Sequence, residues 1–325
     1  MQPTASDALF WAPSDRSAEP WDDGQAMRII SLTPSATEIV YALGLGDELV
    51  GRTHLCDYPA EALDVPVVTV DDPDAPERRL DGALLAKLEP DLVLADGSED
   101  HVVVDYAEVS DLVGGMARET TLVALAPHTV EGILNSISTV GAYTESEFEA
   151  VGLVEILRER LGSVGLGYGP DTRRVVVIES LEPLRAAGGW VPEMVRRAGG
   201  WELLGREGVP AVTSTWEQVR EVEPEVLVLA LRVTDAAGAE AALETAVLPA
   251  WFDELLAVRD GEFFAVDGRG LFARPGPRVV EGIAVLAELC FPEIFAGAGP
   301  VEAWRPLAPI GVAGRYLTDG PASQP

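Results

Sequence analysis

Cysteine is nearly missing from this chain: Cys56 and Cys290 are the only two in 325 residues. Two isolated thiols carry no readable disulfide framework, and they pair only if the fold brings them together. Cys56 is expected to be exposed in a loop, and Cys290 buried beside Leu289 and Phe291. Lysine is scarcer still, with Lys87 alone, and 23 bases face 54 acids for a net charge of −31. That balance argues against a nucleic-acid partner and against adhesion to anionic lipid. No run of about 18 apolar residues exists, so direct membrane insertion is not expected. Also missing are a P-loop, a Gly-x-Ser-x-Gly elbow and a Gly-x-Gly-x-x-Gly turn after a strand. With three histidines and no nucleophile–base pair, the chain reads as non-catalytic.

The sequence as written is also not expected to open with a leader. Residues 1–26 carry Asp7, Asp15, Glu19, Asp22 and Asp23 with no basic start and no long apolar core. They read as a flexible extension, not a secretory signal, and no cysteine there suits a lipoprotein anchor. As written, the chain is expected to be cytoplasmic. Met27 is an alternative start that also lacks a signal, and a start elsewhere would leave an extracytoplasmic location open.

What is present is a set of strand–loop–helix units. Hydrophobic residues make up 47% of the chain, and its length exceeds what one core usually serves, so two lobes are expected. Ile29 to Leu32 suits a buried parallel strand. Ser35 with Glu38 reads as a capping box opening a helix, Pro34 stiffens the turn, and Gly44 is a left-handed stop. The motif puts a helix N-terminus at the carboxyl end of a strand, where open α/β sheets bind ligands. The sequence then echoes itself. Leu88-Glu89-Pro90-Asp91 before Leu92–Ala95 is matched by Val222-Glu223-Pro224-Glu225 before Val226–Ala230. Each reads as a helix end, a proline break and a buried strand. Val175–Ile178 leads to a helix over Pro192–Ala198, a second capping box is read at Ser214 and Glu217, and Thr121–Leu125 and Phe263–Val266 close the halves. Thr144–Leu161 reads as one helix, with Phe148, Val151, Val154, Leu157 and Leu161 near helical spacing.

The opening motif and the loop Gly51-Arg52-Thr53-His54-Leu55-Cys56-Asp57-Tyr58-Pro59 resemble the cobalamin-binding, helical-backbone (class III) branch of the substrate-binding proteins of ABC importers. Ferric siderophore and haem binders share that branch. Two later stretches resemble it too: Gly188-Gly189-Trp190-Val191-Pro192-Glu193, and the glycine-rich loop Asp267–Arg278. The resemblance covers residues 27–296. It implies an α/β fold of two similar Rossmann-like lobes joined by one long backbone helix, with the ligand cleft between lobes. The expected parts are an extension (1–26), an N-terminal lobe (27–142), the backbone helix and linker (143–169), a C-terminal lobe (170–296) and a Gly/Pro-rich tail (297–325) anchored by Trp304.

It also implies a small-molecule ligand, cobalamin or a related corrinoid, with a ferric chelate or haem as the alternative. The site residues it implies are Ser35, His54, Tyr58, Asp96, Trp190, Phe272 and Arg274. Tyr58 would pack on a flat corrin, Trp190 would stand exposed as a platform, and Arg274 would meet amides or carboxylates. His54, Cys56 and His101 are candidate metal ligands. The family often carries a cysteine pair near Asp96–His101, and this chain has none. Asp81 and Glu193 are candidate docking residues for an ABC permease, and the chain is expected to be a monomer. Each residue also has a structural reading, as turn cap, core side chain or ion-pair partner. Two other classes stay open: a cytoplasmic corrinoid carrier or sensor, and a two-domain enzyme such as a glycosyltransferase.

Overall fold

The computed structural model describes residues 26–70, 79–97, 106–164 and 172–309. The chain divides into two units. The first takes the described residues up to Pro127, then Glu131–Arg158 and Pro275–Pro277. The second takes His128–Val130, Glu159–Arg274 and the described residues from Arg278 on.

In chain order the first unit runs β1 (Ile29–Ser31), α1 (Pro34–Ala42), β2 (Leu49–Arg52), β3 (Thr69–Val70), β4 (Arg79–Leu80), α2 (Gly82–Lys87), β5 (Leu92–Asp96), α3 (Tyr106–Gly114), β6 (Thr121–Leu125), α4 (Val130–Tyr143) and α5 (Glu147–Ser163). Its main sheet is parallel with order β2-β1-β5-β6, and β3 and β4 form a small antiparallel pair. Ile29, Ile30, Leu92, Val93 and Leu94 are buried because the inner strands have covered faces on both sides.

The second unit runs β7 (Arg173–Leu181), β8 (Leu184–Ala186), α6 (Val191–Arg197), β9 (Gly200–Glu202), β10 (Val212–Thr213), α7 (Trp216–Val222), β11 (Val226–Leu229), α8 (Ala236–Thr245), α9 (Leu256–Arg259), β12 (Phe263–Val266), α10 (Val279–Cys290), α11 (Pro292–Phe295) and β13 (Trp304–Pro306). Four of its strands repeat the first unit: β9-β7-β11-β12 are parallel and follow the order β2-β1-β5-β6. Strands β8, β10 and β13 are antiparallel additions.

The duplicated proline breaks show why the halves match. Glu89 and Glu223 both take left-handed backbone, φ 44° and 47°, which turns the chain out of its helix ahead of Pro90 and Pro224. The acid after each proline then pairs with a residue at the amino end of the unit's first strand, Arg28 just before β1 and Arg174 at the start of β7. Arg28 N–H donates to Asp91 Oδ2 at 2.9 Å, and Asp91 N–H donates to Arg28 O at 2.8 Å. Arg174 N–H donates to Glu225 Oε2 at 2.9 Å, and Glu225 N–H to Arg174 O at 2.8 Å. Each pairing sets the register of a central strand against its neighbour.

Several local readings are corrected. The Ser35–Glu38 capping box does not form: Thr33 is the N-cap, without a side-chain bond, because Pro34 takes the first helical position. The second box sits one residue later than read, with Thr215 and Gln218 exchanging both bonds. Helix α5 carries the unit boundary between Arg158 and Glu159, but its buried stripe is Ala150, Val154, Leu157 and Leu161. Phe148 is 88% exposed and Val151 is also exposed. The tail is folded at least as far as β13, which pairs with β12, and Trp304 stacks edge-on against Phe264 at 5.5 Å.

Phe252 is the centre of the second unit's core, in edge contact with Trp216 at 5.0 Å and Phe263 at 5.6 Å. Phe252→Ala is expected to cost about 3–5 kcal/mol in urea unfolding, the range for a large core aromatic. Phe148→Ala should stay within about 0.5 kcal/mol. Equal losses would contradict the burial assigned to the two rings.

Candidate functional site

In both units the strand order reverses beside the first strand, between β1 and β5 and between β7 and β11. Open α/β sheets bind ligands outside the carboxyl ends of the strands at such a point.

In the first unit that end carries hydroxyls. Thr37 Oγ1 donates to Ser31 Oγ at 2.8 Å, Ser31 Oγ donates to Thr33 O at 2.9 Å, and Thr33 Oγ1 lies 3.2 Å from Ser35 Oγ. Pro275–Pro277 belongs to this unit, and a β-carbon at Gly276 would come within 3.2 Å of Glu38 Oε2 and 3.6 Å of Ser35 Cα. Ser35 and Glu38 are therefore buried beneath it.

The loop after β2 is braced by Arg52, a residue not singled out from sequence. Its buried guanidinium donates to Thr53 O at 3.0 Å and Leu63 O at 3.1 Å, tying the two ends of the loop. His54 and Tyr58 are half-buried on this loop, and the Tyr58–Pro59 peptide is cis. Thr69 Oγ1 accepts from His54 N–H at 3.1 Å and lies 3.0 Å from His54 Nδ1. Cys56 is buried, against the expectation of exposure, because its sulfur packs inward to 3.2 Å from Thr53 Oγ1 and 4.0 Å from Ser31 O. Asp96 ends β5 half-buried. His101 lies outside the described residues, and among those described no group of three His, Cys, Asp or Glu side chains could hold a metal.

The second unit overturns one placement. Trp190 is 3% exposed, and its indole Nε1–H donates to Phe272 O at 3.0 Å. It locks the glycine-rich loop to α6 and is no open platform. Phe272 and Arg274 are buried as well. Gly188 makes room for backbone: a β-carbon there would meet the 209–211 main chain at 2.5 Å. Gly268 likewise abuts Ala230 and Leu231.

The docking candidates are also engaged internally. Asp81 caps α2 by accepting from Leu84 N–H at 2.9 Å. Glu193 is buried, accepts from Val130 N–H at 2.8 Å, and pairs with Arg197 at 2.8 Å. What the sequence reading missed is the cluster at the carboxyl end of β7: Glu179, with Arg185 and Arg232 each 3.5 Å away. The available signal was position, since Arg232 closely follows the buried run Val226–Ala230.

Among the described residues, three buried groups have shifted acidities. Burial raises Tyr41, with Glu61 and Asp47 adding to it. Burial pushes the Cys290 thiol up to about 12, so it stays protonated. Burial raises Glu202 to about 7, although Val177, Leu204 and Gly205 N–H groups all donate to it.

Two α/β units of matching strand order, each presenting polar side chains where its sheet reverses, define a bilobal solute-binding protein. A family model described as "Periplasmic binding protein" matches residues 29–264, and the chain belongs to that family. The chain is similar to the vitamin B12-binding protein of Vibrio parahaemolyticus serotype O3:K6, 26% identical over 86% of this chain and 93% of the relative. Among solved structures it is similar to the periplasmic vitamin B12 binding protein BtuF of Vibrio cholerae, with TM-score 0.60 and 25% identity over 82% of this chain and 96% of that one. It is also similar to the periplasmic heme binding protein HutB of Vibrio cholerae, with TM-score 0.66 and 19% identity over 82% of this chain and the whole of that one. That last likeness shows the fold alone.

Glu202 makes stability depend on pH in a defined direction. Its folded value, about 7, lies above the ordinary 4.5, so the folded state holds the proton more tightly and loses stability as pH rises between those values. The loss is on the order of 3 kcal/mol. Glu202→Gln should remove this slope between pH 4 and 8 in urea unfolding; parallel profiles for variant and native protein would contradict it.

Proposed function

We propose that this chain binds a corrinoid, cobalamin first among them, and delivers it unchanged to an ABC permease as a monomer. The observation that carries the proposal is the length of the match to vitamin B12-binding proteins, which spans 93% of one such relative. The first unit supplies suitable chemistry. Tyr58 offers a flat ring to an apolar macrocycle face. His54 has two modes set by Thr69. If Nδ1–H donates to Thr69 Oγ1, Nε2 carries a lone pair that can meet cobalt. If Thr69 donates to Nδ1 instead, Nε2–H can donate to a corrin amide. Asp96 stands at the neighbouring strand end to accept from amide N–H groups. Trp190, Phe272 and Arg274 shape the second unit's loop from beneath, and Ser35 does the same in the first unit.

A ferric chelate or haem is the second reading, favoured by two arginines beside the end of β7, Arg185 on β8 and Arg232 after β11. Anionic chelates need such cations.

The test is a titration with aquocobalamin that follows tryptophan fluorescence and the cobalamin visible spectrum together. Saturable quenching at about micromolar concentration or below is expected. Tyr58→Ala should weaken it about tenfold, the loss of one aromatic contact. His54→Ala should abolish any shift of the visible spectrum. No quenching at about ten times that concentration would overturn cobalamin as the ligand.

A further inference from the structure

We propose that Thr69 is a positioning residue of the ligand site: its hydroxyl donates to His54 Nδ1, keeps the ring's proton on Nε2, and so makes His54 a hydrogen-bond donor to a ligand oxygen instead of a ligand to its metal. This rests on the reading that a small molecule is held at the carboxyl ends of the first unit's strands.

The backbone sets where Thr69 stands. The segment before β3 runs beside the end of β2, where Arg52 N–H donates to Pro66 O at 2.9 Å and Val68 N–H donates to Arg52 O at 2.8 Å. On its other side β3 pairs with β4, with Thr69 opposite Leu80. Thr69 is 5% exposed, and its branched side chain has few rotamers, so the strand fixes the direction of the hydroxyl. His54 brings two nitrogens to that one oxygen, its main-chain N at 3.1 Å and its ring Nδ1 at 3.0 Å.

Counting hydrogens then selects one tautomer. A main-chain N–H can only donate, so Thr69 Oγ1 accepts from His54 N. The hydroxyl has one hydrogen of its own, and among the described residues His54 Nδ1 is the only acceptor it bonds. A proton on Nδ1 would give Oγ1 two incoming donors and leave the hydroxyl hydrogen buried without an acceptor, the less stable arrangement. With the hydroxyl donating, Nδ1 accepts and the neutral ring carries its proton on Nε2. The count closes on Thr69, so it holds whatever further contact His54 makes. An Nε2–H has no lone pair to give a metal. It suits an oxygen acceptor, such as the amide carbonyls of a corrin rim or the carboxylates of haem.

The experiment reads the tautomer first, without ligand. Long-range proton–nitrogen correlation spectra of the full chain, labelled with nitrogen-15 histidine, are recorded at about pH 8.5, where an ordinary imidazole is neutral. His54→Ala identifies the His54 signals among the 3 histidines. Native protein should show an unprotonated Nδ1 and a protonated Nε2. Thr69→Ser should keep that pattern, and Thr69→Val should give the averaged signals of a tautomer mixture. Binding is read second, by fluorescence titration with aquocobalamin and, separately, with haem. Thr69→Val and His54→Ala should each weaken binding about fivefold, the value of one neutral hydrogen bond. The double variant should bind no worse than His54→Ala alone, and Thr69→Ser should bind as the native protein does. Bound aquocobalamin should keep the visible bands of water-ligated cobalt.

A proton on Nδ1 in the native spectrum, or an unchanged spectrum in Thr69→Val, would overturn the proposal. So would additive losses in the double variant, or cobalt bands that shift on binding and return in His54→Ala. If neither probe binds, the reading of the site falls and the donor role falls with it, while the ligand-free spectrum still decides whether Thr69 sets the tautomer.

Discussion

The fold depends on one backbone exchange made twice. A residue at the amino end of the first strand of each unit pairs reciprocally with the acid that follows a proline break, Arg28 with Asp91 and Arg174 with Glu225. A parallel sheet has no tight hairpin to set its register, so some contact outside the ladder must do it. Here the left-handed glutamate, the proline and the acid do so together. The glutamate ends the helix, the proline forbids its return, and the carboxylate captures a strand N–H. A slip of one residue would turn every inward side chain of a buried strand, and both faces of these strands are packed.

With register set at the amino ends, the positions of the carboxyl ends follow. The loops after β1 and β2 in one unit, and after β7, β11 and β12 in the other, start from strands that cannot slide. Their internal bonds are correspondingly dense. Arg52 ties the His54–Pro59 loop at two carbonyls, Asp267 accepts from Gly270 N–H, and Trp190 reaches across to Phe272 O. Such loops present preformed surfaces, which limits the ordering cost of taking up a ligand. The chemistry differs between units: hydroxyls, an imidazole and a phenol in the first, guanidiniums over a carboxylate in the second.

Much of the fold was legible because buried parallel strands read as short apolar runs. Thr121–Leu125 and Phe263–Val266 match their strands residue for residue, and the repeated Glu-Pro-acid breaks gave away the doubling. Cap positions slipped by one or two residues, since neighbouring hydroxyls compete for the same amides. The antiparallel strands β8, β10 and β13 were missed because each is only two or three residues long. In α5, Phe148 looked like a core residue by type, yet the smaller Ala150 holds the buried register.

Side-chain direction was the part the sequence withheld. Trp190, Phe272, Arg274 and Cys56 sit on the expected loops but turn inward, and pattern alone cannot say which way a loop residue points. The arginines that do reach solvent, Arg185 and Arg232, lay in segments read as plain strand and loop. The central claim is that ligand meets the carboxyl ends of the sheets. Hydrogen–deuterium exchange with and without aquocobalamin tests it most directly. Slowed exchange should be confined to the loops at residues 32–35, 53–58 and 230–234, with the strands themselves unchanged. Unchanged exchange in those loops at saturating cobalamin, or protection centred on the amino ends of the strands, would contradict the account.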